Sequence, residues 1–163
     1  MAIDVYLHID GIQGESADDG HEQWIECRSA AWSVLQPKSA TTSTGGGHTA
    51  ERCEHGEVVI TKLADLSSPI LLQTCSTGRT ISKAKLEFMR ADGNGDRIKY
   101  FEIVLENVLI GGVFPAIHEG ELLFEHVGLK FSKANWKYTQ QKIAGGAAGH
   151  TGGGWDLTAN KIC

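Results

Sequence analysis

Hydrophobic and polar residues alternate along most of this chain, which is the period of a half-buried strand rather than of a helix. Ile3, Val5, Leu7 and Ile9 fall on one side and Asp4, Tyr6 and His8 on the other, and Asp10-Gly11 follows as a turn. Residues 23–35 read as a second, longer strand weighted by Trp24, Ile25, Trp32, Val34 and Leu35. Val58 to Leu63 is a third. Lys83 to Arg90 is a strand with Ala84, Leu86 and Phe88 on one face, and Ala91-Asp92-Gly93-Asn94-Gly95-Asp96 is a hairpin connection. The long strand Arg97 to Val113 carries Phe101, Ile103 and Leu105 inward and is bent by Gly111-Gly112 near its end. From Leu122 to Tyr138 the pattern changes parity. Val127, Leu129 and Phe131 are odd-numbered, whereas Ala134, Trp136 and Tyr138 are even-numbered, which predicts a β-bulge or a strand break near Ser132-Lys133. A glycine-rich loop over 145–154 then leads to a last short strand, Trp155 to Ile162.

Two segments depart from the alternation. Ser67-Ser68 supplies an N-cap, Pro69 stands at the first helical position and Gly78 ends the turn, so the segment between them reads as a helix of about two to three turns. Ile70, Leu71, Leu72 and Cys75 form its apolar side, and a helix this short must lean on a sheet. From residue 37 to residue 55 there is no apolar period at all. That stretch is Ser, Thr and Gly rich, contains Gly45-Gly46-Gly47, and is too long for a routine connection. With about eight strands, one short helix and one long polar loop, the expected fold is an all-β, mainly antiparallel barrel with the helix packed on its side. Twenty glycines against three prolines fit many strands joined by tight turns, and 163 residues with 41% hydrophobic content fit a single domain over 1–163.

Charge narrows the function classes. Fifteen basic and 20 acidic residues give a formal charge of −5 with neither sign gathered in a block. Such a chain has no electrostatic footprint for nucleic acid and no basic amphipathic stretch for a membrane surface. No apolar run approaches the roughly 20 residues of a membrane span. The alternating N-terminus has neither the basic nor the continuous apolar region of a signal peptide, so the chain is expected to be made in the cytoplasm and to leave by a route that reads no cleavable signal. Cys27, Cys53, Cys75 and Cys163 are scattered and expected to be reduced thiols.

Candidate chemistry is thin. His48, Glu51, Cys53 and His55 are metal-ligand types, but their spacing matches no standard zinc pattern, and no metal or cofactor is expected. Asp92-Gly93-Asn94-Gly95-Asp96 opens like a calcium loop, yet Arg97 and Ile103 stand where that loop needs Gly and Glu. Gly145-Gly146-Ala147-Ala148-Gly149 follows a strand but is followed by His150-Thr151-Gly152-Gly153-Gly154, not by a helix, so it is no dinucleotide fingerprint. No nucleophile elbow occurs, and Glu125-His126 reads as a surface pair, so no catalytic residue is nominated. Assembly is the remaining reading. Loop 37–55 projects between two firm strands, and Lys83, Lys85 and Glu87 give the barrel a wetted face, which suits packing against further copies as well as it suits a monomer with a floppy loop.

At this point a family resemblance adds to the pattern. Tyr6-Leu7-His8-Ile9-Asp10-Gly11-Ile12-Gln13-Gly14-Glu15-Ser16 resembles the opening of the Hcp (haemolysin-coregulated protein) family, the tube subunit of type VI secretion. Ala31-Trp32-Ser33 is similar to its tryptophan-bearing second strand, and Ile60-Thr61-Lys62 with Asp65 and Ser67-Ser68-Pro69 to its strand-to-helix junction. Leu105-Glu106-Asn107-Val108, Gly154-Trp155-Asp156 and Asn160-Lys161 continue the likeness over nearly the whole chain. Val34 departs from it, standing where many relatives carry a second aromatic or a Gly-containing pair.

The resemblance implies a hexameric ring, rings stacked into a hollow tube, and export by a contractile sheath with a spike at the tip. It implies as partners further copies of the chain, the spike protein, sheath and baseplate, and small effectors in the lumen. It gives loop 37–55, with Thr42, Ser43, Thr44, Gly45, Gly46, Gly47 and His48, an expected role at the subunit or ring interface, and places Ser33 on the lumen beside an effector. The rivals are a small β-barrel ligand-binding module acting as monomer or dimer, and an effector enzyme on the same fold. The latter would carry a toxin domain, for which the end at Cys163 leaves no room.

Overall fold

The computed structural model describes residues 4–37 and 52–163. In chain order the described elements are β1 (Asp4–Ile9), β2 (Ile25–Cys27), β3 (Ser29–Ala31), β4 (Val34–Leu35), β5 (Glu54–His55), β6 (Val58–Leu63), α1 (Ser68–Thr77), β7 (Ile81–Ala91), β8 (Arg97–Ala116), β9 (Phe124–Lys130), β10 (Lys133–Gln141), β11 (Ala147–Asp156) and β12 (Lys161–Ile162). Every pairing is antiparallel. The all-β expectation with one helix therefore stands.

The pairings close on themselves. β1 pairs with β7, β7 with β8, β8 with β9, β9 with β6 and β6 with β3. β2, which pairs with β1, is separated from β3 by Arg28 alone, whose N–H donates to the Thr61 carbonyl at 2.6 Å. The expected single strand over 23–35 is thus three short ones that turn a corner between sheets, because each barrel wall needs its own register on that stretch. The apolar alternation points Val5, Leu7, Ile9, Ile25, Ile60, Leu86, Ile103, Leu105, Val127 and Leu129 into one core.

Strand β8 organises the rest. One flank pairs with β7, and the other serves β10 up to Glu106 and β9 from Leu109 onward. The exchange occurs at Asn107, which sits at a positive φ of 52° and whose Nδ2 donates to Ser132 Oγ at 2.9 Å. Ser132 is the break between β9 and β10 that the change of parity predicts. A second irregularity falls between Ile110 and Gly112, at the expected bend. Beyond the exchange, β10, β11 and β12 form a wing off the barrel. The expected loop over 145–154 is mostly strand. Gly145 and Gly146, both at positive φ, make the turn, and the glycines after them lie in β11 opposite β10. Their poor strand propensity is overridden because β10 supplies a full partner.

Helix α1 lies where expected, with Gly78 left-handed at its end. Its buried stripe is Ser68, Leu71 and Thr74, with Cys75 half-buried beside it. Ile70 and Leu72 are exposed, correcting the broader apolar side, since neighbours of Leu71 are rotated by about 100° to either flank. Ser67 stands at the N-cap position, but its hydroxyl donates to Asp65 Oδ1 and does not cap the helix.

Candidate assembly surface

Beneath that junction lies a buried charge cluster. Lys62 is fully buried, and its Nζ donates to Glu125 Oε2 at 2.6 Å and to Ser68 Oγ at 3.1 Å while standing 3.0 Å from Asp65 Oδ1. Ser68 Oγ also donates to Glu125 Oε2, at 2.9 Å, and accepts the Asp65 N–H at 2.9 Å. The cluster binds β6, β9 and the start of α1 into one rigid corner. Glu125 is therefore no surface group, which corrects the Glu125-His126 reading; only His126 faces outward.

That orientation exposes the far side of the sheet β3–β6–β9–β8. Register places Ala31, Val59, Gly128 and Gly112 in one row, and Ser29, Thr61, His126 and Phe114 in the next. Thr61 Oγ1 and His126 Nδ1 are 3.0 Å apart, and the Phe124 ring meets His126 edge-on at 5.5 Å. Phe114 is 65% exposed, and Ile117, Leu122 and Leu123 continue uncovered around the β8–β9 connection. This wall carries no cluster of like charge. At one end Glu57 pairs with Lys130 at 3.7 Å. The Glu57 carboxylate occupies the space a side chain at Gly128 would need, and a Cβ at Gly111 would also meet it, at 2.7 Å.

Ser33 follows β3 and is exposed at the margin of this wall, its carbonyl accepting the Gly56 N–H at 3.0 Å. Trp32 turns the other way, its ring 5.7 Å from Phe101 and 5.6 Å from Phe88. There it borders a cavity of about 470 Å³, shared with Val34, Cys53, His55, Trp136 and Trp155, between the barrel and the wing. Val34, the departure from the family pattern, thus lines this cavity. Cys53 Sγ lies 3.7 Å from His55 Nε2, and the His55 ring stacks on Trp136 at 6.1 Å. Burial holds the His55 imidazole below its ordinary pKa. Their supposed companions His48 and Glu51, and all of Thr42, Ser43, Thr44, Gly45, Gly46, Gly47 and His48, lie outside the described residues. Asp92, the first residue of the calcium-like run, is the acceptor of its own turn. Its carboxylate receives N–H groups of Asn94 and Asp96 and, across to the β10–β11 turn, of Gly146. The Gly146 contact foremost holds the Asp92 carboxyl below its ordinary value.

On the opposite wall, β1, β7 and β8 carry an ion network that includes the expected Lys85 and Glu87. Glu87 pairs with Lys85 at 3.1 Å and Lys99 at 3.2 Å, and Lys99 also pairs with Glu102. His21, buried in the loop after β1, places one ring nitrogen 2.7 Å from Glu87 Oε2 and the other 2.7 Å from Asp18 Oδ2, and stacks on Tyr6. Arg97 joins Asp18 and donates to Tyr6 Oη at 3.0 Å. The loop residues carry no periodic signal, so their role was invisible in the alternation.

The model of the family described as "Type VI secretion system effector, Hcp" matches residues 6–138. The chain is 32% identical over 162 residues to Protein hcp1 of Pseudomonas aeruginosa, covering 98% of each. The chain belongs to the Hcp family of type VI secretion. This Hcp-family chain is also 27% identical over 139 residues to the Major exported protein of the same organism, covering 81% of the chain and 78% of that relative. Its fold matches the crystal structure of Hcp1 from Salmonella typhimurium with a TM-score of 0.79 and 31% identity, all of both chains being covered. Hcp-family proteins are structural and are exported through the type VI system, so the barrel here is that of a secreted structural family.

Proposed function

We propose that this Hcp-family chain is a tube subunit acting as one domain over residues 1–163, closing into hexameric rings that stack into a hollow tube expelled by a contractile sheath. The observation that carries the reading is the uncovered apolar end of the wall of β3, β6, β9 and β8, at the end of β8 and the β8–β9 connection. A lone barrel gains nothing by leaving Phe114, Ile117, Leu122 and Leu123 in water, whereas in a ring such residues are covered by the neighbour. With Ser33 toward the lumen, Val59, Thr61 and His126 line the channel, and small effectors meet a wall of small, apolar and hydrogen-bonding groups. Spike protein, sheath and baseplate are the partners this role requires, and residues 42–48 reach a neighbouring subunit or ring. Synthesis is cytoplasmic, without a cleavable signal, and export is through the apparatus.

Native mass spectrometry of the full chain tests the ring: the expected mass is that of a hexamer, and a monomer at micromolar concentration would overturn it. Electron microscopy of a chain lacking 40–50 tests the loop, with normal rings and tubes counting against its role. Ser33→Gln should form rings and retain less effector. The aromatic cavity of about 470 Å³ favours a second reading, a ligand-binding module acting as monomer or dimer, which a monomeric or dimeric mass would support.

A further inference from the structure

Three of the four tryptophans close on the cavity between barrel and wing, and strand register explains why. Phe101 of β8 stands opposite Tyr138, Ile103 opposite Trp136, and Trp155 opposite Ala134. Residues two apart on a strand share a face, so Phe101, Trp136 and Trp155 lie on one side of β8, β10 and β11. Gly153, opposite Trp136, belongs to the same face, and a Cβ there would meet nothing within 4 Å. Large rings with a bare glycine between them leave space beside them. The resulting cavity of about 470 Å³ has the size of a small-molecule site.

Its electrostatics are one-sided. No Asp, Glu, Lys or Arg lines it. His55 adds no charge, because burial holds its imidazole below the ordinary pKa and its Nδ1 is buried without a partner among the described residues. The indole N–H groups of Trp32, Trp136 and Trp155 meet no acceptor among the described residues and are not buried, so these rings offer free donors. One charge stands at the rim. Arg52 precedes Cys53, which lines the barrel side, and its Nη2 donates at 3.0 Å to the carbonyl of Leu157, just beyond Trp155 on the wing. Among the described residues no carboxylate pairs with that guanidinium. Glu54 and Asp156 adjoin lining residues but do not line the cavity, and Asp156 Oδ1 accepts the N–H groups of Thr158 and Ala159.

We propose that this cavity binds a small aromatic carboxylate of one or two rings, held among Trp32, Trp136 and Trp155 with its carboxylate at Arg52. A planar apolar ring gains by leaving water for aromatic walls. Its carboxylate would be costly to bury, but at the rim it stays hydrated and meets a guanidinium fork that matches its shape. Aromatic walls also attract cations. Here a cationic guest would face Arg52 and find no carboxylate in the lining, which decides for the anion. The inference rests on reading the cavity as a ligand site. It does not rest on the oligomeric state, since every lining residue belongs to one chain.

The experiment titrates the full chain near neutral pH with cinnamate, cinnamyl alcohol and cinnamylamine, which share one ring and differ in charge. Isothermal titration calorimetry should give cinnamate a Kd below about 1 mM. It should bind at least about threefold tighter than the alcohol and about tenfold tighter than the amine. With isotope-labelled tryptophan, the indole N–H resonances of Trp32, Trp136 and Trp155 should move, and that of Trp24, beside His21 on the other wall, should not. Arg52→Gln should weaken cinnamate about three- to fivefold and leave the alcohol unchanged. Trp136→Ala should weaken both by at least about tenfold. Arg52 is exposed, so its variant keeps the test decisive even where Trp136→Ala fails to fold. Equal binding of the alcohol or the amine, or R52Q binding cinnamate as the parent does, would overturn the carboxylate while leaving a ligand site. Still resonances of Trp32, Trp136 and Trp155 with all three compounds would overturn the ligand site as well.

Discussion

Lys62→Met is the substitution that puts most weight on the geometry. Lys62 is 0% exposed and its ammonium faces the carboxylates of Glu125 and Asp65 with the hydroxyl of Ser68, so among the described residues it is the cation that neutralises Glu125, itself 2% exposed. Methionine fills nearly the same volume, which isolates the charge from the packing. Removing one member of a buried pair costs about 3–5 kcal/mol, because the other charge is left desolvated. For a domain with an urea m-value of about 2 kcal/mol/M, that is a midpoint shift of about 2 M. The assay is urea unfolding of the dissociated subunit followed by circular dichroism. Glu125→Leu alone should also destabilise, and the double variant Lys62→Met with Glu125→Leu should recover about 2 kcal/mol relative to the sum of the singles. A Lys62→Met midpoint within about 0.5 M of the parent, or strictly additive singles, would refute the view that these groups form one cluster.

Further outcomes follow from other contacts. Leu71→Ala, at the single fully buried apolar position of α1, should lower stability by about 2–5 kcal/mol in the same urea assay, whereas Leu72→Ala, exposed on the flank, should stay within about 0.5 kcal/mol. Gly14→Ala would press its Cβ to 2.5 Å from the Trp24 carbonyl and should cost about 1–3 kcal/mol, while Gly128→Ala presses on the movable Glu57 carboxylate, its nearest backbone neighbour being Gly112 N at an ordinary 3.9 Å, and should cost less. Burial pushes the Cys27 thiol up to about 12, so iodoacetamide near pH 8 should label exposed Cys163 and spare Cys27 until the chain unfolds, read by peptide mass spectrometry. For Asp18 and Glu87, burial raises the pKa, but hydrogen bonds from His21, joined by Arg97 at Asp18 and by Lys85 and Lys99 at Glu87, outweigh it and leave both below their ordinary values. A depressed folded pKa gives stability that is present above the unfolded value, about 4, and lost as pH falls through the folded one. Glu87→Gln should therefore flatten the loss of stability below about pH 4 in urea melts.

What could be read along the chain was whatever depends on near neighbours. Alternation marked β1, β6, β7 and β8, and the change of parity near Ser132 marked the point where β9 gives way to β10. Pro69 and Gly78 bracketed α1, because proline and a left-handed glycine act through their own backbone angles. The resemblance added the family, since its motifs are spread in order over the whole length. Three things needed the tertiary structure. Residues 23–35 broke into β2, β3 and β4 because a strand's partners, not its own residues, decide where it must change sheet. The glycines of β11 became a strand because β10 lay beside them, overriding a local preference for loop. Glu125 was drawn inside by Lys62, 63 positions away, and that long-range pairing turned His126 and the wall around it outward. Local pattern sets which face of a strand is apolar; which strands meet and which charges are buried are set by contacts between distant segments, and those exist only once the barrel has closed.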